Sequence, residues 1–169
     1  MARPDLSTVP EFYHKYIGQV PENDLSEAFD RRTPLFINFL ENIPGDKIDF
    51  AYAEGKWTVR EVLQHIIDAE RGFTYRALRF ARKDATPLPS FDENLFAANA
   101  RANKRIWEDL IQEFKTVRSA TEWLFRSFDP EQLNATGIAG SRTISVLAIG
   151  YITAGHPLHH LQVIQQRYL

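Results

Sequence analysis

At 169 residues, with 44% hydrophobic and 25% charged side chains, the chain has the size and make-up of one soluble globular domain able to bury its own core. A formal net charge of -2, with Lys and Arg spread along the sequence, gives no electrostatic reason to expect nucleic acid or an anionic membrane as partner. There is no cysteine, so disulfides, thiolate metal sites and a cysteine nucleophile are excluded, and any transition-metal site must use His, Asp or Glu.

The opening Met1-Ala2-Arg3-Pro4-Asp5 lacks the apolar stretch of a signal peptide, and no run approaches the roughly 20 apolar residues needed to span a bilayer. The expectation is a cytoplasmic protein. Residues 1–22 read as an N-terminal extension packing on the main helices, with His14 ahead of them and facing solvent. A first helix is expected from Asn23 to Asn42, stopped by Ile43-Pro44-Gly45-Asp46, and Pro34 inside it predicts a kink or a break. Residues 44–57 form an irregular link containing Tyr52 and Trp57.

The second helix has the strongest start. Thr58-Val59-Arg60-Glu61 is a capping-box pattern, and apolar residues from Val59 to Ala81 recur at helical spacing to about Arg82. Thr86-Pro87-Leu88-Pro89-Ser90 breaks the chain. A third helix then carries one stripe of Phe96, Ile106, Leu110, Phe114, Val117, Thr121, Leu124 and Phe128, ending at Asp129-Pro130. Thr136 to Thr143 reads as a loop, and a fourth helix runs from Ile144 nearly to Leu169. No segment alternates convincingly as a strand, and no internal repeat is visible. The pattern predicts an all-α protein, a four-helix bundle forming a single domain over 1–169.

His156 and His160 lie about 40° apart on a helical wheel, so one face of the fourth helix presents two imidazoles one turn apart. His65, on the second helix, is placed to arrive as a third ligand. Three neutral nitrogens with an open further position describe a site that activates water or a thiol. His159, about 60° from His156, takes a supporting or surface role. The fourth helix is apolar on two faces, one for the core and one for a partner subunit, which predicts a homodimer.

Glu61, Asp68, Ala69, Gly72 and Arg76 share the side of His65. Asp68 or Glu61 is expected to position water or orient His65, while Ala69 and Gly72 leave room for a substrate or allow a bulky neighbour to pack close. Arg76 either anchors an anionic group of a small-molecule substrate or lies solvated. Glu70 points elsewhere, toward a buried or interfacial ion pair with an arginine. Asn99 and Asn103 fall on the core stripe of the third helix, and Asn103 is the preferred candidate for supporting the pocket behind the ligands.

Taken together, Gly55-Lys56-Trp57-Thr58 through Gln64-His65-Ile66-Ile67-Asp68-Ala69-Glu70, Tyr75-Arg76-Ala77-Leu78-Arg79, Pro87 to Glu93, and Gly155-His156-Pro157-Leu158-His159-His160 resemble the DinB/YfiT-like family of metal-binding four-helix bundles. The resemblance spans nearly the whole chain. It implies one divalent transition metal, nickel or zinc, on His65, His156 and His160, and a metal-dependent hydrolase or a transferase using a low-molecular-weight thiol. Two other readings stand beside it: a stress-associated binding protein with a structural or vestigial site, and a plain helical dimer with core histidines. Pro157 departs from the family pattern, where an acidic residue is usual. With Gly155 adjacent it predicts a kink or unwinding that re-aims His156.

Overall fold

Four amphipathic helices of sufficient length have to bury their stripes against one another, and in the computed structural model, which describes residues 3–169, they do so as a four-helix bundle. The elements in chain order are α1 (His14–Ile17), α2 (Leu25–Glu41), α3 (Val59–Ala81), α4 (Glu93–Ala100), α5 (Trp107–Arg126), α6 (Pro130–Asn134), β1 (Thr136–Ala139), β2 (Arg142–Ser145) and α7 (Val146–Arg167). The capping box at Thr58 forms as its sequence predicts: Thr58 accepts from the Glu61 N–H, and Glu61 reaches back to the Thr58 N–H at 2.8 Å. Asp24 and Ser145 cap α2 and α7 with their side chains in the same way.

Around the bundle the main packing partners are α2 with α7, α7 with α3, α3 with α5, and α5 with α2. The helices that follow each other in sequence as first and second, α2 and α3, are therefore diagonal, and so are α5 and α7. A diagonal step cannot be made by a tight turn. The two diagonal steps are accordingly made by long connections, residues 42–58 and 127–145, while the still longer 82–106, which contains α4, joins the neighbours α3 and α5.

The second of those connections contains a β-hairpin that the sequence reading placed in a loop. Thr136 stands opposite Ser145 and Ala139 opposite Arg142, and the two-residue turn is Gly140-Ser141, with Gly140 at φ +63°. A two-residue loop opening on a glycine at positive φ is the normal way to close such a hairpin. The strands are only four residues long, too short for alternation to register. Their edge is extended by Leu88, whose N–H donates to Ile138 O at 2.9 Å and whose carbonyl accepts from Gly140 N–H at 2.8 Å.

The expected third helix is two helices. Arg101 turns left-handed at φ +52°, a short 3-10 turn covers Ala102–Lys104, and α5 begins only at Trp107. The break is held from outside its own segment: Arg60 of α3 donates to the Arg105 carbonyl at 2.6 Å, and the Arg105 side chain reaches Gln64 at 2.9 Å. Phe96 and Ile106, expected in the core, are 45% and 62% exposed. The stripe is real only from Leu110 onward.

Neither helical proline breaks or unwinds its helix: α2 and α7 run continuously through Pro34 and Pro157. Pro34 lies on the exposed side of α2, where water can satisfy the carbonyl it leaves free. Pro157 is buried, and the carbonyl deprived of its partner is that of Thr153, four residues back. Arg118 of α5 supplies the missing donor, Nη2 to Thr153 O at 3.1 Å. Gly155 has a packing role rather than a hinge role, since a Cβ there would stand 2.0 Å from the Tyr16 carbonyl oxygen. The second apolar face of α7, read as a subunit surface, is covered by α1 and α2 of the same chain, with Tyr16, Ile17, Val20 and Leu25 buried.

Candidate metal centre

α3 brings in His65 from its second turn, and α7 brings in His156 and His160 from adjacent turns. Their Nε2 atoms converge: His65 to His156 is 3.2 Å and His160 to His156 is 3.0 Å, and one nitrogen from each lies within 4.8 Å of the others. His65 and His156 are buried, and His160 is partly so. Burial pushes the His65 imidazole down to about 4. Burial, reinforced by the neighbouring imidazoles, holds His156 and His160 well below the ordinary histidine range. All three are neutral at pH 7, the form in which imidazole is a ligand.

Hydrogen bonding among the rings does not account for this arrangement. His156 Nε2 faces two other Nε2 atoms, yet a neutral imidazole nitrogen either donates one hydrogen or offers one lone pair. At most one of the two short contacts can be a good hydrogen bond. A cation shared by three lone pairs resolves the conflict, and metal–nitrogen bonds of about 2.0–2.1 Å set nitrogen pairs roughly 3 Å apart. The residues fit a divalent metal.

The rings are held largely by aromatic edges. Trp57 lies 4.9 Å from the His65 ring, Tyr16 5.0 Å and Phe73 5.7 Å from the His156 ring, and His159 5.3 Å from the His160 ring. His159 is half-buried and also touches Tyr16. His14, expected in solvent, is partly buried instead and bonds the Val9 carbonyl at 2.9 Å, because the N-terminal segment folds back on itself.

The residues expected to assist the ligands are engaged elsewhere. Asn103 is exposed on the 3-10 turn between α4 and α5, because the helix break at Arg101 takes it off the core stripe. Asn99 is exposed and bonds the Leu95 carbonyl. Asp68 accepts from Gln64 at 3.0 Å and lies 3.8 Å from Arg71, in a polar network on the α3–α5 side that includes Arg105 and Glu113. Burial pushes its carboxyl upward. Glu61 is spent on its cap. Glu70 does pair with an arginine, Arg118 at 2.6 Å, with both side chains 2% exposed.

Beside the histidines a cavity of about 390 Å³ is walled by Tyr16, His65, Ala69, Phe73, Arg76 and Phe91, among others, and opens past Asp92 to Asn94. Ala69 keeps it open; the space above Gly72 is filled by Phe91, whose ring a Cβ would meet at 3.1 Å. Arg76 is buried rather than solvated and faces this cavity. A second cavity of about 310 Å³, lined by Tyr52, Trp57, His159, His160 and Tyr168 among others, reaches the cluster at His160, and Asn94 borders both cavities. Sequence reasoning missed Tyr16, Trp57, Phe73 and Phe91. Gly155 was the available signal, since a glycine within a long apolar helix is costly unless another backbone needs the space.

A sequence model of the DinB superfamily matches residues 28–164. A protein of Oceanobacillus iheyensis, named as a candidate metal-dependent hydrolase, is 25% identical over 164 residues, 96% of this chain and 88% of its own length. Among solved structures, YfiT from Bacillus subtilis, described as a candidate metal-dependent hydrolase with an unusual four-helix bundle topology, superposes with a TM-score of 0.70 at 18% identity. That match covers 97% of this chain and 90% of the other. At this identity the likeness speaks for the fold. Among the described residues, no helix is long and apolar enough to cross a membrane.

Proposed function

Because the chain belongs to the DinB superfamily, and because its three buried imidazoles leave their lone pairs in mutual conflict without a cation, we propose that it is a metal-dependent hydrolase. His65, His156 and His160 hold one divalent ion, zinc or nickel. Such an ion, when bound, supplies Lewis acidity that lowers the pKa of water or a thiol beside it. The remaining work falls to the protein. Trp57, Tyr16 and Phe73 fix the ring planes and keep bulk water off the ligands' apolar side. The larger cavity receives a small substrate against Ala69 and Phe73. Tyr16, its phenol pushed up to about 12 by burial and by the charge of Glu93, stays protonated and serves as a hydrogen-bond donor at the cavity wall.

The observation that carries this reading is the convergence of three Nε2 atoms, two of them 3.0 and 3.2 Å from the third. The second cavity, which reaches His160, favours a second reading: transfer to a small thiol that occupies its own pocket while the substrate occupies the other. Metal content of protein purified without a histidine tag tests the proposal. One equivalent of metal is expected, with loss on His160→Ala and hydrolysis of a panel of small esters and amides. Absence of metal together with indifference to His160→Ala sinks it. Turnover only when a thiol is supplied selects the transferase reading.

A further inference from the structure

Arg76 carries a buried charge with no counter-charge among the described residues. It is 8% exposed, and among the described residues no carboxylate lies within ion-pair distance of it. Its visible partners are a single carbonyl, Pro89 O at 3.0 Å from Nη2, and the ring of Phe91, 5.7 Å from Cζ. A guanidinium has five N–H donors, so most of its hydrogen-bonding capacity is left over, and the residue lines the cavity beside His65 and His156. Arg118, the other deeply buried arginine, shows what the fold does when an arginine is structural: it receives Glu70 at 2.6 Å. An unpaired buried charge is strongly unfavourable and persists where something else completes it.

We infer that the cavity binds a small carboxylate with an apolar body, its anionic group taken by Arg76 and its apolar part by Phe73, Phe91 and Ala69. This rests on the reading of that cavity as the substrate's. The guanidinium fork matches a carboxylate in two parallel hydrogen bonds, which a point charge such as lysine cannot reproduce. At about 390 Å³ the cavity lies at the small end of ligand sites, suiting one ring or a short branched chain. The other charged groups nearby do not cancel the selection. Asp92 and Glu93 are exposed, where water and salt screen them, and Asp92 is engaged in capping α4; His65 and His156 are neutral. Phe91 is held in place between Gly72 and the stacked ring of Phe96, 4.9 Å away, so the guanidinium rests against a fixed surface.

Calorimetric titration of the full chain with phenylacetate and with its neutral isostere phenylacetamide tests the inference. In the wild type the acid binds at least tenfold more tightly than the amide. Arg76→Met removes the preference, and Arg76→Lys keeps only part of it. His160→Ala retains the preference, since it stems from the arginine and not from a metal. Equal binding of acid and amide to the wild type, binding of neither, or a preference that survives Arg76→Met overturns the inference. So does a preference lost in His160→Ala. Should Arg76→Met fail to fold, Arg76→Gln takes its place, and the wild-type comparison needs no variant. Failure of the metal reading leaves the acid preference untouched, so the two proposals fail separately.

Discussion

Glu70 and Arg118 are as deeply buried as His156 and stand within two turns of the histidines along the bundle, yet the two polar groups are completed in opposite ways. Arg118 gives its guanidinium to Glu70 of α3 and to the Thr153 carbonyl of α7, and stacks over Phe29 of α2 and Phe114 of α5. It thus touches all four long helices, and it is closed off from both cavities beside the histidines. Among the described residues the three histidines bond only one another, and they border two cavities. A buried polar cluster whose opposite charges the fold pairs with each other, closed off from any opening, is architecture; one left without such pairing and reachable is a place for a ligand. The two are also coupled. By capping Thr153, Arg118 repairs the gap that Pro157 makes in α7, and so keeps the turn between His156 and His160 helical.

The largest effect is expected from breaking the closed cluster. Arg118→Ala leaves Glu70 buried without its partner and costs about 3–5 kcal/mol in urea denaturation. Burial already pushes the Glu70 carboxyl above its usual range against the pull of Arg118, so in the variant the deficit should shrink as pH falls and Glu70 takes up a proton. Glu70 Oε1 and Arg118 Nε have no hydrogen-bond partner among the described residues, so Glu70→Leu with Arg118→Met should recover stability to within about 1 kcal/mol of wild type. A cost below about 1 kcal/mol for the single variant removes the pair from its central role. Pro157→Ala restores an N–H to Thr153, and in that background the penalty of Arg118→Ala should fall by about 1 kcal/mol.

The open cluster answers to metal instead. Zinc or nickel at a hundred times its dissociation constant should stabilise the wild type by about 2.7 kcal/mol and leave His160→Ala unmoved, read as a shift in Tm. An equal shift in both proteins places the metal elsewhere. Next comes Gly155→Ala, which pushes α1 off α7 at Tyr16 and should cost about 1–3 kcal/mol. A neutral result there means that α1 adjusts without loss.

The gentlest lever is pH. In metal-free protein the histidines' folded pKa values are depressed, so below about 6.5 the unfolded chain binds more protons than the folded one. Their contribution is complete above that point and is lost as pH falls toward 4, by at most about 1.4 kcal/mol per pH unit for each proton. Across that range the urea midpoint of the wild type should fall relative to that of His65→Leu as the solution becomes more acid. Parallel curves contradict the shift.

Much of the bundle was legible because local rules and burial agreed. The Thr58 cap, the stripe on α3 and the spacing of His156 and His160 all state their roles within one or two turns of chain. The pairing of Glu70 with an arginine was legible too, since a carboxylate among apolar neighbours has few alternatives. What could not be read depended on residues distant in sequence. Asn103 looked like a core amide because nothing nearby announces that Arg60 and Gln64 will hold the chain open at Arg105. Pro157 pointed to unwinding because its remedy, Arg118, lies on another helix.

Periodicity and caps carry information about a residue's own helix, and together with the composition they determine four long helical stripes, no cysteine, and two histidines on one face. Whether His65 would meet that pair is a matter of which helices become neighbours, and the diagonal step of the chain decides it by seating α3 against α7. The same step brings Arg118 to Thr153 and leaves Arg76 alone on the cavity wall. Such contacts are set by packing between segments, where the free energy depends on the whole arrangement and no single stretch of sequence contains it.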